Sequence, residues 1–135
     1  DPNLIAFINA HANTYFDVVV ETLAGHPLSN CSNADVPNFW RECFFSEKTF
    51  RSIYHLQPFI IFGQHQANQK LQDYGYKLYD GVFDYSFDNE RDTYKRWTKL
   101  KKELARQVNV LSALPIKKQL HWKWRVADIS AHNLK

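Results

Sequence analysis

Three features of this 135-residue chain predict an α/β fold built on a short parallel sheet. Two apolar runs, 16–20 and Phe59–Phe62, are strand-sized and bounded by polar or turn residues. Segments of helical periodicity alternate with them, the order that goes with parallel strands. A long amphipathic helix then dominates the C-terminal third. At 16.0 kDa the chain is one domain's worth, read as a single unit over 1–135 with a basic helix and tail over 91–135. Apolar residues at 44% and charged residues at 23% exclude a disordered, collagen-like or coiled-coil chain.

The elements follow in order. Phe16-Asp17-Val18-Val19-Val20 reads as a short buried strand. From Thr22 to Cys43 the chain is rich in Gly, Pro, Asn and Ser and reads as a long loop. Ser46 is placed to cap a helix, with Glu47 in the first turn, where a negative charge suits the helix dipole. Phe50, Ile53 and Tyr54 would form its buried face. Pro58 ends that helix and opens the strand Phe59–Phe62, which Gly63 closes.

A second short helix is expected over 66–74, with Ala67, Leu71 and Tyr74 on one face and Gly75 at its C-cap. Residues 76–79 read as a third strand, turned at Asp80-Gly81. An acidic and aromatic run occupies 82–89. Tyr94, Trp97, Leu100, Leu104, Val108 and Leu111 then trace the apolar stripe of a long helix. Lys95, Lys99, Lys102 and Arg106 sit on its other face, and Pro115 breaks it. The tail from Ile116 holds Trp122 and Trp124 and reads as a last short helix or strand.

Net charge is +3, but it is unevenly spread. Residues 1–94 carry −6, whereas 95–125 carry +9 with Glu103 as their single acid. A basic segment of this kind suits nucleic acid, an anionic surface or a phosphate-bearing ligand, or simply forms a solvated helix face. The longest apolar run, Pro58–Phe62, falls far short of the roughly 20 residues of a membrane span. Two cysteines, Cys31 and Cys43, are too few for a disulfide scaffold. They read as reduced thiols in a cytoplasmic protein, with one bridge as the alternative. The chain contains no Met, as expected of a processed product or a piece of a longer chain.

The chemistry concentrates at the expected carboxyl edge of the sheet. In parallel sheets ligands sit beyond the C-terminal strand ends, near helix N-termini. Glu21 ends the first strand, Gly63 the second, and Ser46-Glu47-Lys48 opens the helix between them. A helix N-terminus offers amide donors and a positive dipole end to an anion, and a Ser hydroxyl and Lys ammonium add to both. Glu47 can accept from sugar hydroxyls. The plain alternative is that Ser-Glu-Lys opens an ordinary helix and Glu21 is a surface carboxylate.

The runs Ser46-Glu47-Lys48-x-Phe50 and Pro58-Phe59-Ile60-Ile61-x-Gly63 resemble the nucleotide-sugar half of two-Rossmann-domain (GT-B) glycosyltransferases. The likeness is to the fucosyltransferase-like group and to uncharacterised phage and giant-virus relatives. Glu21-Thr22 after Val18-Val19-Val20, the run Leu71 to Asp80, the run Asp84 to Asp88 and the ending Ala131-His132-Asn133 are similar to segments of those relatives in the same order. The resemblance covers most of 16–135. It implies a Rossmann-like three-layer domain that binds a nucleotide-diphosphate-sugar donor. Glu47 would then contact ribose or sugar hydroxyls, Lys48 the diphosphate, and Glu21 would sit near the donor or orient the loop. The resemblance implies no tightly held metal, and no cofactor is expected. An acceptor domain and a catalytic base have no counterpart in this chain, so no catalytic residue is assigned. The alternative reading is a small non-catalytic viral or phage-type module that binds nucleic acid or a protein through 95–125.

Other candidates have plain structural alternatives. His65 could act as a general base or simply sit in a loop. Asp84 and Asp88 could pair around a divalent ion or lie on a solvated loop. Cys31 and Cys43 lack zinc-ligand spacing. Trp122 and Trp124 could stack on bases beside Lys123 and Arg125, or dock the C-terminus on the sheet.

Overall fold

The computed structural model describes residues 14–22, 24 and 43–135. Most of the 22–43 loop, and Cys31, lie outside them. The described residues combine helices with a short parallel sheet. Strand β1 (Asp17–Val20) pairs with β2 (Phe59–Phe62), with Asp17 opposite Phe59 and Val20 opposite Phe62. Helix α1 (Glu47–Tyr54) lies between them in sequence and packs on β1. Helix α2 (Ala67–Asp73) follows and packs on β2. A 3-10 turn at Ser86–Asn89 leads into the long helix α3 (Thr93–Ala113). Three short helices close the chain: α4 (Ile116–Leu120), α5 (Trp122–Arg125) and α6 (Ala127–Leu134).

The two strands differ as their sequences require. All of Phe59-Ile60-Ile61-Phe62 is buried, as a strand covered on both faces must be. In β1 the side chains alternate: Val19 is in the core while Val18 and Val20 are exposed. The core grows outward from β2 through aromatic pairs, Phe59 on Tyr79 and Phe62 on Trp97. Phe16 packs edge-on against Phe83 and lies near Trp122, which brings the chain's last third onto its first strand.

The third strand expected over 76–79 does not form, and the hydrogen bonds show why. The N–H and C=O of Ile61 are both taken by the Asn68 side chain, at 3.1 and 2.8 Å. Those of Lys77 are both taken by the Asn133 side chain, at 2.7 and 2.9 Å. The Tyr79 N–H donates to the Tyr85 hydroxyl. Two carboxamides thus imitate the peptide groups of a neighbouring strand and leave no ladder to extend.

The helix boundaries follow the local signals, and Ile53, Ala67, Leu71, Leu100 and Leu111 of the expected faces are buried, with Trp97 and Leu104 packed against the core, while the outer members of those faces are exposed. Ser46 caps α1, its Oγ accepting from the Lys48 N–H, and Asp92 caps α3 in the same way from Lys95. Gly75 ends α2 at φ +97°, where an L side chain is strained. Its N–H donates to Gln72 and that of Tyr76 to Leu71, the paired bonds of a Schellman ending. On α1 the buried residues are Thr49, Ser52 and Ile53, while Phe50 and Tyr54 are exposed. On α3 they are Arg96, Leu100, Glu103, Gln107 and Leu111, while Tyr94 and Val108 are exposed. In α2, Asn68 is buried beside Ala67 and Leu71, and Tyr74 is exposed. In each helix a polar side chain with a dedicated partner replaces an apolar one on the inner face.

Candidate functional site

The carboxyl ends of β1 and β2 lie side by side, since the Glu21 N–H donates to the Phe62 carbonyl at 3.0 Å. Glu21 is 2% exposed. Its Oε1 accepts from the Ser46 N–H at 3.1 Å and from the Thr49 hydroxyl. The other carboxylate oxygen, Oε2, is buried and has no hydrogen-bond partner among the described residues. Gly63 stands against this group because the chains are close. A Cβ built there would meet the Ala67 Cβ at 2.9 Å and the Ile61 Cγ2 at 3.3 Å. Any side chain at Gly63 would therefore push α2 off β2.

Lys48 extends over the edge. Its Nζ donates to the Val20 carbonyl at 3.2 Å and to the Thr22 hydroxyl at 3.4 Å, and the side chain stays exposed. Glu47 beside it is also exposed. Glu21, Ser46, Lys48 and Gly63 therefore come together at one sheet edge, with Glu47 on the adjoining helix start. One expectation changes. The Ser46 amide is taken by Glu21 and the Lys48 amide by Ser46 Oγ, so these two donors at the helix start are engaged within the chain. The Glu21 carboxyl group itself occupies that end of α1. Thr49 is the partner that the sequence reading missed. Its signal was its place three residues after the cap, on the same side of α1 as Ser52.

Beyond β2 a second group is held mostly by scaffold bonds. Asp88 is buried at the start of α2 and accepts from the Asn68 N–H, the Asn68 amide and the Gln69 N–H. Burial raises its pKa, against the pull of those donors. His65 Nε2 lies 3.2 Å from the Asn89 carbonyl, and burial lowers its pKa. Cys43 carries a free thiol that burial, with Asp88 nearby, pushes up to about 11, which makes it a poor nucleophile near neutrality. Arg96 is fully buried; its guanidinium donates to the carbonyls of Glu90, Arg91 and Ala24 and lies over the Phe62 ring. It thereby ties the chain just beyond β1 to α3.

Asp84 and Asp88 differ in their surroundings. Asp84 is exposed and accepts from the Ser86 N–H, whereas Asp88 faces α2. Both line a cavity of about 570 Å³ that none of Glu21, Ser46, Glu47, Lys48 or Gly63 lines. Among the described residues, no group of three or more His, Cys, Asp or Glu is arranged to hold a metal ion. Among the same residues, no helix is long and apolar enough to cross a membrane.

The two distant segments Tyr74–Lys77 and Ala131–Asn133 meet in space. His132 Nε2 lies 2.9 Å from the Gly75 carbonyl, and Asn133 holds both backbone groups of Lys77. Trp122 and Trp124 separate: Trp122 is 4% exposed and Trp124 is 76% exposed. No family model, curated protein or solved structure matches this chain.

Proposed function

We propose that this chain is a Rossmann-like, donor-binding half of a glycosyltransferase-like protein, and that a nucleotide-diphosphate sugar binds at the carboxyl edge of β1 and β2. The observation that carries the reading is the exposed Lys48 ammonium, held over that edge by Val20 and Thr22. A fixed cation there can meet a diphosphate and offset the charge of a departing nucleotide. The parallel β1–α1–β2 unit supports the fold assignment, since three-layer nucleotide-binding domains are built from such units. Glu47 is exposed beside Lys48 and free to accept from ribose or sugar hydroxyls. Glu21 is a positioning residue in this reading: it fixes Ser46 and Thr49, and through them the start of α1.

Thermal unfolding in the presence of GDP, UDP, ADP, CDP and their sugar conjugates tests the proposal. A ligand at about 100 times its Kd stabilises the folded state by about 2.7 kcal/mol, which raises the melting temperature by several degrees. One nucleotide should do so with the native chain and fail with Lys48→Ala. That variant should melt normally without ligand, because the side chain is exposed. An unchanged melting temperature with every nucleotide would refute the donor site.

A further inference from the structure

We propose that the surface formed by α4, α5 and the second half of α3 binds single-stranded nucleic acid, with Trp124 as a base-stacking platform. This surface is separate from the Lys48 edge, and the inference does not depend on a sugar-nucleotide donor. Residues 116–125 carry Lys117, Lys118, Lys123 and Arg125 and no acid. The folded chain divides them. Lys123 turns inward and donates to Gln57, whereas Lys117, Lys118 and Arg125 are exposed. The side chains of Lys117, Lys118 and Arg125 make no hydrogen bond or ion pair among the described residues. Glu103, the one acid of 95–125, is buried and tied to Arg106 at 2.6 Å. These cations are thus left for an external anion.

Two apolar features accompany them. Trp124 is 76% exposed and Ile116 is 74% exposed, although both are large and apolar. Arg125, which follows Trp124 in sequence, lines a cleft of about 300 Å³ to which α3, α5 and α6 contribute and which Trp124 itself does not line. Its lining includes the apolar Val110, Trp122 and Ile129, and Arg106, which is held by Glu103 and the Val82 carbonyl. An open tryptophan face offers a stacking platform to an unpaired base, and the exposed cations of the same short helices offer partners to its phosphates. A duplex would present stacked bases that the Trp124 ring cannot reach without opening it. A membrane surface is less suited, because α4 and α5 span five and four residues and make no long amphipathic face.

Fluorescence anisotropy with labelled oligouridylate and oligothymidylate of about 16 nucleotides provides the test. Binding is expected at about 50 mM salt, with log affinity falling against log salt at a slope of about −2 to −3, as for three or four single-strand phosphates. Trp124→Ala should weaken binding about 5- to 150-fold, and Trp124→Phe should restore most of it. Arg125→Ala should make the slope shallower by about 0.7. Lys48→Ala should change none of these values. Trp124 is exposed, so its variants should melt like the native chain. Equal affinity for a duplex of the same length, or Trp124→Ala binding as tightly as the native chain, would reduce the surface to generic polyanion attraction and overturn the proposal. So would a tryptophan emission shift with phosphatidylserine vesicles but no oligonucleotide binding.

Discussion

Asn68 shows how much of this fold hangs on one polar side chain. It is 1% exposed, bonds both backbone groups of Ile61 and also donates to Asp88. Removing it leaves a buried N–H and C=O in the centre of β2 with no partner, and each such group costs about 1–3 kcal/mol. Asn68→Ala is therefore expected to lose about 3 kcal/mol or more in urea unfolding. Asn68→Asp should not rescue it, because a carboxylate cannot donate to the Ile61 carbonyl and would face Asp88. A loss below about 1 kcal/mol in Asn68→Ala would mean that water satisfies Ile61 instead. Glu21 is similar in kind: a strand-end acid stands out in the sequence, but its bonds to Ser46 and Thr49 depend on α1 returning to β1.

The helices carry the clearest difference between pattern and packing. Apolar spacing places α1, α2 and α3 with nearly correct ends, because caps, Pro58, Gly75 and Pro115 act locally. The inner faces differ from the apolar stripes because Thr49, Ser52, Asn68, Arg96, Glu103 and Gln107 have partners only in the folded chain. Ser52 donates to Asp17 at 2.7 Å, Gln107 donates to the Val82 carbonyl, and Glu103 accepts from the Asp84 N–H. Hydrophobic periodicity has no means of counting such partners. Leu100 and Val108 test the face that results, since both belong to the expected stripe but only Leu100 is buried, at 0% exposure against 55%. Leu100→Ala should cost about 2–5 kcal/mol and Val108→Ala less than about 0.5 kcal/mol. Equal losses in chemical denaturation would return the helix to the orientation of its apolar stripe.

Across the whole molecule, the C-terminal helices act as a clasp. Helix α6 packs on α1, its Ser130 bonds the buried Tyr79 hydroxyl at 3.0 Å, and Asn133 and His132 hold Lys77 and Gly75. The segment 75–79 has no sheet to support it, and this clasp supplies partners for the Gly75 carbonyl and for both backbone groups of Lys77. Deleting 127–135 should therefore lower the melting temperature by more than about 10 °C, and Asn133→Ala alone by a smaller part of that. A deletion variant that melts within a few degrees of the native chain would show that 75–79 is held from elsewhere.

Local chemistry made the strand runs, the helix ends, the Ser46 cap, the Gly75 ending and the charge split readable from residue order. Each depends on neighbours within a few positions, where sterics, capping and periodicity operate. The same order predicted a third strand and placed Phe50, Tyr54, Tyr74, Tyr94 and Val108 on inner faces that Thr49, Ser52, Asn68, Arg96, Glu103 and Gln107 share instead, because those depend on partners brought together by folding. It likewise treated Trp122 and Trp124 together, although one fills the core beside Phe16 and the other faces solvent. Folding decided which backbone groups were already satisfied, which polar side chains went inside, and which cations were left exposed. Those are questions of hydrogen-bond partners and burial, and they have answers only once distant segments meet.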